Sequence, residues 1–383
     1  MDLLILGASV RSAAFSAIRA GFRPVCVDLF ADLDLTRVCS TTGRVEPGDY
    51  PEGLADAALA LRPMPWIYTG GLENHPDLVD RISTHHRLLG NPGSVLRGVR
   101  DPLAVAEAVR SVGLAAPEVR LDPVDLPTDG SWLKKPLASA GGRGIEPWRG
   151  GTVPPGRFYF QQRVEGLSYS ALCLGNLGRY GVTKCLGVTR QYVGRPGNRF
   201  AYRGTLAPCQ VLPEFRDWVQ SIGWRIGRTL AVEFGLRGLF GVDLILGETS
   251  VWVIEVNPRY TASVEALEWA TGESVLMAHA QDFGIARPGS PIAIRPQEFV
   301  SKSILYATRP CIWNEITFPE SPLDQMPEIA DVPHPGTRFN PGEPVLTILA
   351  SGDSPTDCRR RLAERLRWWR RRLDIGPRLK PGC

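Results

Sequence analysis

Phe240-Gly241-Val242-Asp243-Leu244-Ile245-Leu246, followed after a polar turn by Val251-Trp252-Val253-Ile254-Glu255-Val256-Asn257-Pro258-Arg259, reads as two apolar strands of an antiparallel hairpin. Glu255 and Asn257 are two apart and share a face. Asp243 joins them if it stands opposite Glu255. That register requires an odd loop, for example Glu248-Thr249-Ser250 as a three-residue turn. Three oxygen-bearing side chains on one face suit Mg²⁺ (or Mn²⁺), a hard cation that keeps waters and shares phosphate oxygens. The structural alternative is a solvated hairpin face. Burying such carboxylates without a cation is costly, which argues for the metal.

Upstream lies Lys134-Lys135-Pro136-Leu137-Ala138-Ser139-Ala140-Gly141-Gly142-Arg143-Gly144-Ile145. A strand ending in lysine opens into a loop whose glycines can bring backbone N–H groups against a phosphate. The lysine precedes the glycines, so this is not the Walker pattern. The chain has only five lysines against 39 arginines, which singles out this adjacent pair. Between the two motifs, Tyr159 to Ser170 reads as an aromatic strand, a polar bend and a second strand, a hinge between sub-domains.

At the start, Asp2 to Leu6 is a buried strand, Gly7-Ala8-Ser9 a turn, Arg11 to Ala20 a helix and Pro24 to Leu29 a second strand. This order predicts a parallel α/β sheet. The glycines fall short of a G-x-G-x-x-G fingerprint, so dinucleotide binding is not read from them. Gly70-Gly71-Leu72-Glu73-Asn74 follows another strand and is expected to line a crevice at the strand ends. A boundary is placed near residue 100, and Arg287-Pro288-Gly289-Ser290-Pro291 reads as a linker. Near the C-terminus, Cys358 to Leu373 carries eight arginines and one acid, with Leu362, Leu366, Trp369 and Leu373 forming an apolar stripe. The expectation is a helix docked on its own protein with a solvated basic face. The alternative is an anionic docking partner or a second copy. No base-stacking module accompanies the helix, so nucleic-acid binding is not expected.

Composition sets further bounds. A hydrophobic fraction of 43% and a charged fraction of 22% fit an ordinary globular protein, and net charge is only +4. No apolar run is long enough to cross a membrane, and no export leader is read at the N-terminus. The eight cysteines form no C-x-x-C pair and are read as reduced thiols in a cytoplasmic protein. The five histidines lack metal-ligand spacing, and His279 is read as a satisfied structural histidine.

In this order and spacing the three central motifs resemble the ATP-grasp enzymes. The resemblance covers roughly residues 1–290. It implies α/β and α+β architecture: a Rossmann-like pre-ATP-grasp domain over 1–100, an ATP-grasp domain over 101–290 and a small β-rich segment over 291–383. The lid is expected at about 130–165 and the metal-binding part at about 166–290. The resemblance implies ATP contacts from Lys134, Lys135, Ser139, Gly141, Gly142, Gly144, Gln161, Gln162, Val164 and Ser168. It implies Mg²⁺ ligation by Asp243, Glu255 and Asn257, with Lys135 and Arg259 as catalytic cations. Ser168 stands where many members carry a ribose-binding acid, and Arg97 and Arg100 where many carry a lysine. Gly7-Ala8-Ser9-Val10-Arg11, Gly71-Leu72-Glu73-Asn74 and Asn257 to Glu265 look like the ATP-grasp carboligases associated with tetrahydromethanopterin and methanofuran, to which tyramine–glutamate ligase is related.

The implied activity is ADP-forming ligation of a small carboxylate to an amine through an acyl phosphate. The alternative is a non-catalytic nucleotide sensor or assembly subunit. For substrate contacts, Glu73 is expected to meet an ammonium and Arg11 a carboxylate.

Overall fold

The computed structural model describes residues 1–175, 183–195, 197–209, 213–248, 250–286, 288–314 and 321–373, with 213–218 described as backbone only. The N-terminal sheet contains β1 (Asp2–Leu6), β2 (Arg23–Asp28), β3 (Thr41–Arg44), β4 (Pro65–Tyr68) and β5 (Arg87–Leu88). Their order is β3-β2-β1-β4-β5, and every neighbouring pair is parallel. Helices α1 (Arg11–Arg19), α2 (Leu33–Val38), α3 (Glu52–Leu59), α4 (Pro76–Ser83) and α5 (Gly93–Val99) connect the strands and follow them.

The run Leu3-Leu4-Ile5-Leu6 is unbroken because both faces of β1 are covered. Leu3 and Ile5 pack with Ala13, Ala14 and Ala17 of α1, whereas Leu4 and Leu6 pack with Leu54 of α3 and Trp66. Strand order reverses between β1 and β4, which opens a crevice at their C-terminal ends. Gly7 permits this closeness: a Cβ there would sit 2.1 Å from Thr69 Oγ1. The start of α1 is not an open anion site. Asp28 accepts hydrogen bonds from the N–H groups of Val10, Phe30 and Ala31 at 3.0, 3.0 and 2.7 Å.

Helix α6 (Pro102–Ser111) begins at Asp101, whose carboxylate accepts from the Leu103 and Ala104 N–H groups. A small antiparallel sheet follows, β6 (Val119–Arg120), β7 (Trp132–Pro136), β8 (Glu146–Pro147) and β9 (Phe158–Gln162), in the order β6-β9-β7-β8. Trp132, Trp148 and Phe160 form its own core.

The largest sheet is fully antiparallel. It contains β10 (Leu167–Gly175), β11 (Lys184–Arg195), β12 (Asn198–Ala207), β13 (Gly238–Leu246) and β14 (Val251–Asn257), with α7 (Pro213–Phe234) packed on β10 and β11. Helices α8 (Ser263–Thr271) and α9 (Val275–Asp282) follow. Then come β15 (Phe299–Tyr306), β16 (Cys311–Ile312), β17 (Ile329–Ala330), β18 (Arg338–Phe339), β19 (Pro344–Gly352) and α10 (Pro355–Arg372). The eight-stranded order is β14-β13-β10-β11-β12-β15-β19-β17.

Among the described residues after the linker, β16 and β18 pair as a two-stranded sheet of their own, whereas β15, β17 and β19 join the central sheet. β15 pairs with β12, so the C-terminal segment extends the central sheet while keeping a core of its own around Trp313, Leu346 and Ile348. The apolar stripe of α10 closes that core: Leu362 is buried, with Leu366, Trp369 and Leu373 packed against it. The stripe is thus used internally; most of the arginines are exposed, while Arg365 is half-buried and bonds the Leu349 carbonyl and Glu328. Among the described residues no helix is long and apolar enough to cross a membrane.

Candidate functional site

A cavity of about 780 Å³ lies between the small sheet and the β13–β14 end of the large one. Lys135, Gln161, Asp243, Glu255, Asn257 and Arg259 all line it.

The hairpin brings Asp243 opposite Glu255, as the one-face reading requires. The route differs from the expected three-residue turn, and Thr249 lies outside the described residues. Leu246 pairs with Val251, an even spacing, and a bulge then shifts the register so that Leu244 meets Val253 and Asp243 meets Glu255. Ile254 is the residue passed over, and its carbonyl accepts from Gln161 Nε2 at 3.2 Å. A bulge re-aims the side chains beside it, and here those include Glu255.

Asp243 accepts from Gln191 Nε2 at 2.9 Å and from Asn257 Nδ2 at 3.1 Å. Burial, reinforced by the neighbouring Glu255 charge, pushes the Asp243 carboxyl up to about 6. Burial acts on Glu255 in the same direction, but Arg100, Lys135 and Arg259 outweigh it and hold Glu255 below the usual carboxylate range.

The two lysines part company because β7 alternates. Lys135 is buried, and its Nζ donates to Gln161 Oε1 at 3.0 Å. Burial opposes its charge, yet Tyr159 and Glu255 keep its pKa above the ordinary lysine value. Lys134 turns to the other face. It pairs with Glu146 at 3.0 Å and lies over the Phe158 ring, away from the cavity. Gln161 lines the cavity, and its amide also links Lys135 to the bulge. The bend from Gln162 through Val164 to Gly166, and Ser168 beyond it, lines the cavity.

The glycine loop rests on β12. Gly141 O accepts from the Tyr202 N–H and Gly142 O from Asn198 Nδ2, each at 3.2 Å. Gly142 has φ +76°, and a Cβ there would fall 2.0 Å from Phe200 O. Gly144 packs on Pro136 and borders an outer depression rather than the cavity. Ser139 presents its carbonyl to Asn74 Nδ2 at 3.2 Å and to Arg100 at 3.3 Å. It ties the loop to the N-terminal sheet and does not line the cavity.

Arg100, which stands where many ATP-grasp members carry a lysine, has a larger place in the site than its position alone suggests. It forms an ion pair with Glu255 and reaches Asn74 Oδ1 at 2.9 Å. Arg97 instead sits at the surface with Asp77 and Asp80. Gln191 carries no local sequence signal for its role; only the pairing of β10 with β11 and β13 brings it near Asp243.

Arg259 donates through Nε to Glu73 Oε1 at 2.8 Å, through one terminal nitrogen to Asn257 Oδ1 at 3.1 Å, and through the other to the Tyr260 carbonyl at 3.2 Å. Glu73 is 1% exposed, and its other oxygen accepts from the Gly71 N–H at 2.6 Å. Both Glu73 oxygens are engaged within the protein, so the expected ammonium contact is replaced by Arg259. Arg11 is likewise not a crevice cation. It is buried against Asp34 (2.8 Å) and Glu265, and Lys302 completes the cluster at 3.1 Å from Glu265. Burial raises the Glu265 carboxyl, but Arg11 and Lys302 prevail and hold it at about 2.

Asp243, Glu255, Lys135 and Arg259 thus line one cavity, with Arg100 paired to Glu255 and Glu73 paired to Arg259 behind them. Among the described residues no group of three or more His, Cys, Asp or Glu side chains could hold a metal alone. Two carboxylates and an amide suit a cation that completes its shell with water and ligand oxygens.

Residues 99–263 match the family described as the ATP-grasp domain. The matched stretch is flanked by the parallel sheet before it and the β15–β19 strands after it. A 190-residue stretch is 23% identical to an uncharacterized protein of Methanocaldococcus jannaschii; it spans 50% of this chain and 41% of that one. Among solved structures, the biotin carboxylase domain of Hydrogenobacter thermophilus 2-oxoglutarate carboxylase, in complex with MgADP, ADP and bicarbonate, superposes with TM-score 0.69. It is 16% identical, and the match covers 97% of this chain and 90% of that one. N5-carboxyaminoimidazole ribonucleotide synthetase from Thermus thermophilus superposes with TM-score 0.65 at 17% identity, covering 99% and 100%. At these identities the likeness establishes the fold.

Proposed function

We propose that this protein is an ATP- and Mg²⁺-dependent carboxylate–amine ligase that forms ADP and works through an acyl phosphate. The observation that carries the reading is the pairing of Asp243 with Glu255 beside Asn257, Lys135 and Arg259 in one cavity. The MgADP named for the Hydrogenobacter structure supports the same ligand pair.

The residues fit ATP and a divalent cation. Asp243 and Glu255 are two facing carboxylates, and Asp243 is pushed up to about 6 by burial and by its neighbour. A divalent cation held by Asp243, Glu255 and Asn257 neutralises phosphate charge when bound. Lys135 is positioned by Gln161 to hold phosphate oxygens. The glycine loop covers them and excludes water. Phosphoryl transfer needs positioning and charge neutralisation more than covalent help from the protein. A carboxylate oxygen attacks the γ-phosphorus, and the bond to the ADP oxygen breaks. The amine nitrogen then attacks the acyl carbon, loses a proton and expels phosphate. Arg259 stabilises charge on the transferring group.

The three-part division at about 100 and 290, a role in one-carbon carrier biosynthesis and a cytoplasmic setting belong to this proposal. The test is ADP release across a panel of amino acids, pterin acids and amines, with hydroxylamine added to trap the activated acyl group. A hydroxamate with ADP is the expected product, lost in Asp243→Asn. AMP and pyrophosphate as products would overturn the mechanism.

A further inference from the structure

Arg259 is held from the far side of the crevice. Its Nε–H donates at 2.8 Å to Glu73, a residue 186 positions away on the Leu72–Asn74 turn of the N-terminal sheet. That turn is fixed in its own right. Gly71 takes φ +106°, and its N–H bonds the second Glu73 oxygen at 2.6 Å, so the carboxylate cannot swing without breaking a backbone contact. Asn74, next in the chain, bonds Arg100 and the Ser139 carbonyl. One short turn therefore reaches both the cavity arginine and the glycine loop.

A guanidinium has five N–H donors in a rigid fork. Three of those of Arg259 bond Glu73, Asn257 and Tyr260. Two remain, on a side chain that lines the cavity. With Nε pinned, the plane of the fork is set before any anion arrives. Glu73 is 1% exposed and is not among the residues lining the cavity.

We infer that Glu73 is a positioning residue: it orients the Arg259 guanidinium toward the transferring phosphoryl group and does not itself contact the amine substrate. The inference rests on the ligase reading for its kinetic consequence, but its geometry can be tested without turnover.

The first measurement is the arginine Nε–H region of the ¹⁵N NMR spectrum. Wild-type protein should show a low-field, slowly exchanging Nε–H signal that disappears in Arg259→Lys and moves upfield in Glu73→Gln. Absence of that signal in wild type, or its persistence unchanged in Glu73→Gln, overturns the inference. The second is MgATP affinity by calorimetry. Glu73→Gln should stay within about two-fold of wild type, and a ten-fold loss would make Glu73 part of the nucleotide site instead.

The third uses the acid and amine found in the ADP-release screen. Glu73→Ala should lower kcat about 100-fold, the scale of losing one transition-state donor, with both KM values little changed. Glu73→Gln keeps an acceptor for Nε and should recover much of that loss. Glu73→Ala with Arg259→Ala should be no slower than Arg259→Ala alone. A raised amine KM with hydroxamate formation intact would restore the ammonium role and overturn positioning. Circular dichroism and Tm confirm that each variant is folded. If no acid yields ADP, the ligase reading falls, while the NMR and calorimetric arms still decide the role of Glu73.

Discussion

His279 offers a measurable test of how the N-terminal sheet is joined to the central one. It lies on α9, only 5% exposed. Its Nδ1 accepts from the Leu239 N–H at 2.8 Å, so Nε2 carries the proton and donates to the Leu89 carbonyl at 2.9 Å. The neutral ring thereby clamps the start of β13 to the segment after β5. Protonation would put a second N–H against the Leu239 N–H in a dry site. Burial pushes the imidazole from 6.5 down to about 4, with the Leu89 carbonyl opposing the shift.

The sign follows. Above pH 6.5 the ring is neutral whether folded or unfolded, and the contribution is intact. Below it the unfolded chain takes up a proton that the folded protein refuses, so stability falls until the folded ring also titrates near pH 4. At 1.36 kcal/mol per pH unit, the loss attributable to His279 between pH 7.5 and 5.0 is about 2 kcal/mol. That is a sizeable share of the roughly 5–15 kcal/mol that holds a typical domain folded.

The assay is urea unfolding of wild type and His279→Gln at both pH values. Apart from the imidazole's own titration, the substitution carries the same packing and hydrogen-bond cost at each pH. The discriminating quantity is the difference of the two pH effects, in which Asp243 and other shared groups cancel. Wild type should lose about 2 kcal/mol more than the variant on acidification. Parallel behaviour would show that His279 titrates in the fold as it does in water, and the clamp argument would fail. Imidazole carbon-bound proton signals give a second readout: the signal missing from the variant should not move between pH 8 and 5.

Lys135→Ala should weaken MgATP binding at least ten-fold by calorimetry, while Lys134→Ala should leave it within about two-fold, because Lys134 turns away from the cavity toward Glu146. Gly142→Ala should cut turnover with Tm nearly unchanged: a Cβ there collides with the Phe200 carbonyl and displaces only the loop. Leu362→Ala should cost about 2–5 kcal/mol in urea unfolding by opening the core under α10, whereas Arg371→Gln on its outer face should stay within about 0.5 kcal/mol.

What was legible in the sequence was local and periodic. The unbroken apolar run of β1 announced a strand covered on both faces. Alternation put Glu255 and Asn257 together, and the 4-3-4 spacing after Leu362 gave the docked stripe of α10. The expectation that both Lys134 and Lys135 contact ATP overlooked the alternation of β7, which turns the two apart without saying which is the inner one. That choice depends on which face of β7 meets Gln161 and the hairpin. The bulge at Ile254 was hidden for the same reason. It is stabilised by a side chain from another sheet, not by any residue within the hairpin.

The misread residues share a different cause. Arg11 and Glu73 both sit at crevice turns, where an unpartnered charge is reasonably taken for a substrate contact. Their partners come from elsewhere in the chain: Glu265 lies 254 residues from Arg11, and Arg259 lies 186 from Glu73. A single sequence shows a charge but not its countercharge, so every buried ion pair between distant segments looks like a vacant binding group. The consequence differs at the two sites. Around Arg11, Asp34, Glu265 and Lys302, the charges answer one another within a buried cluster, which points to a structural joint. Around Arg259, the protein supplies three acceptors and leaves two donors on a side chain lining a large cavity. A guanidinium fixed in plane but incompletely bonded is what anion recognition requires, and this remainder, not the presence of the charge, separates a site from a joint.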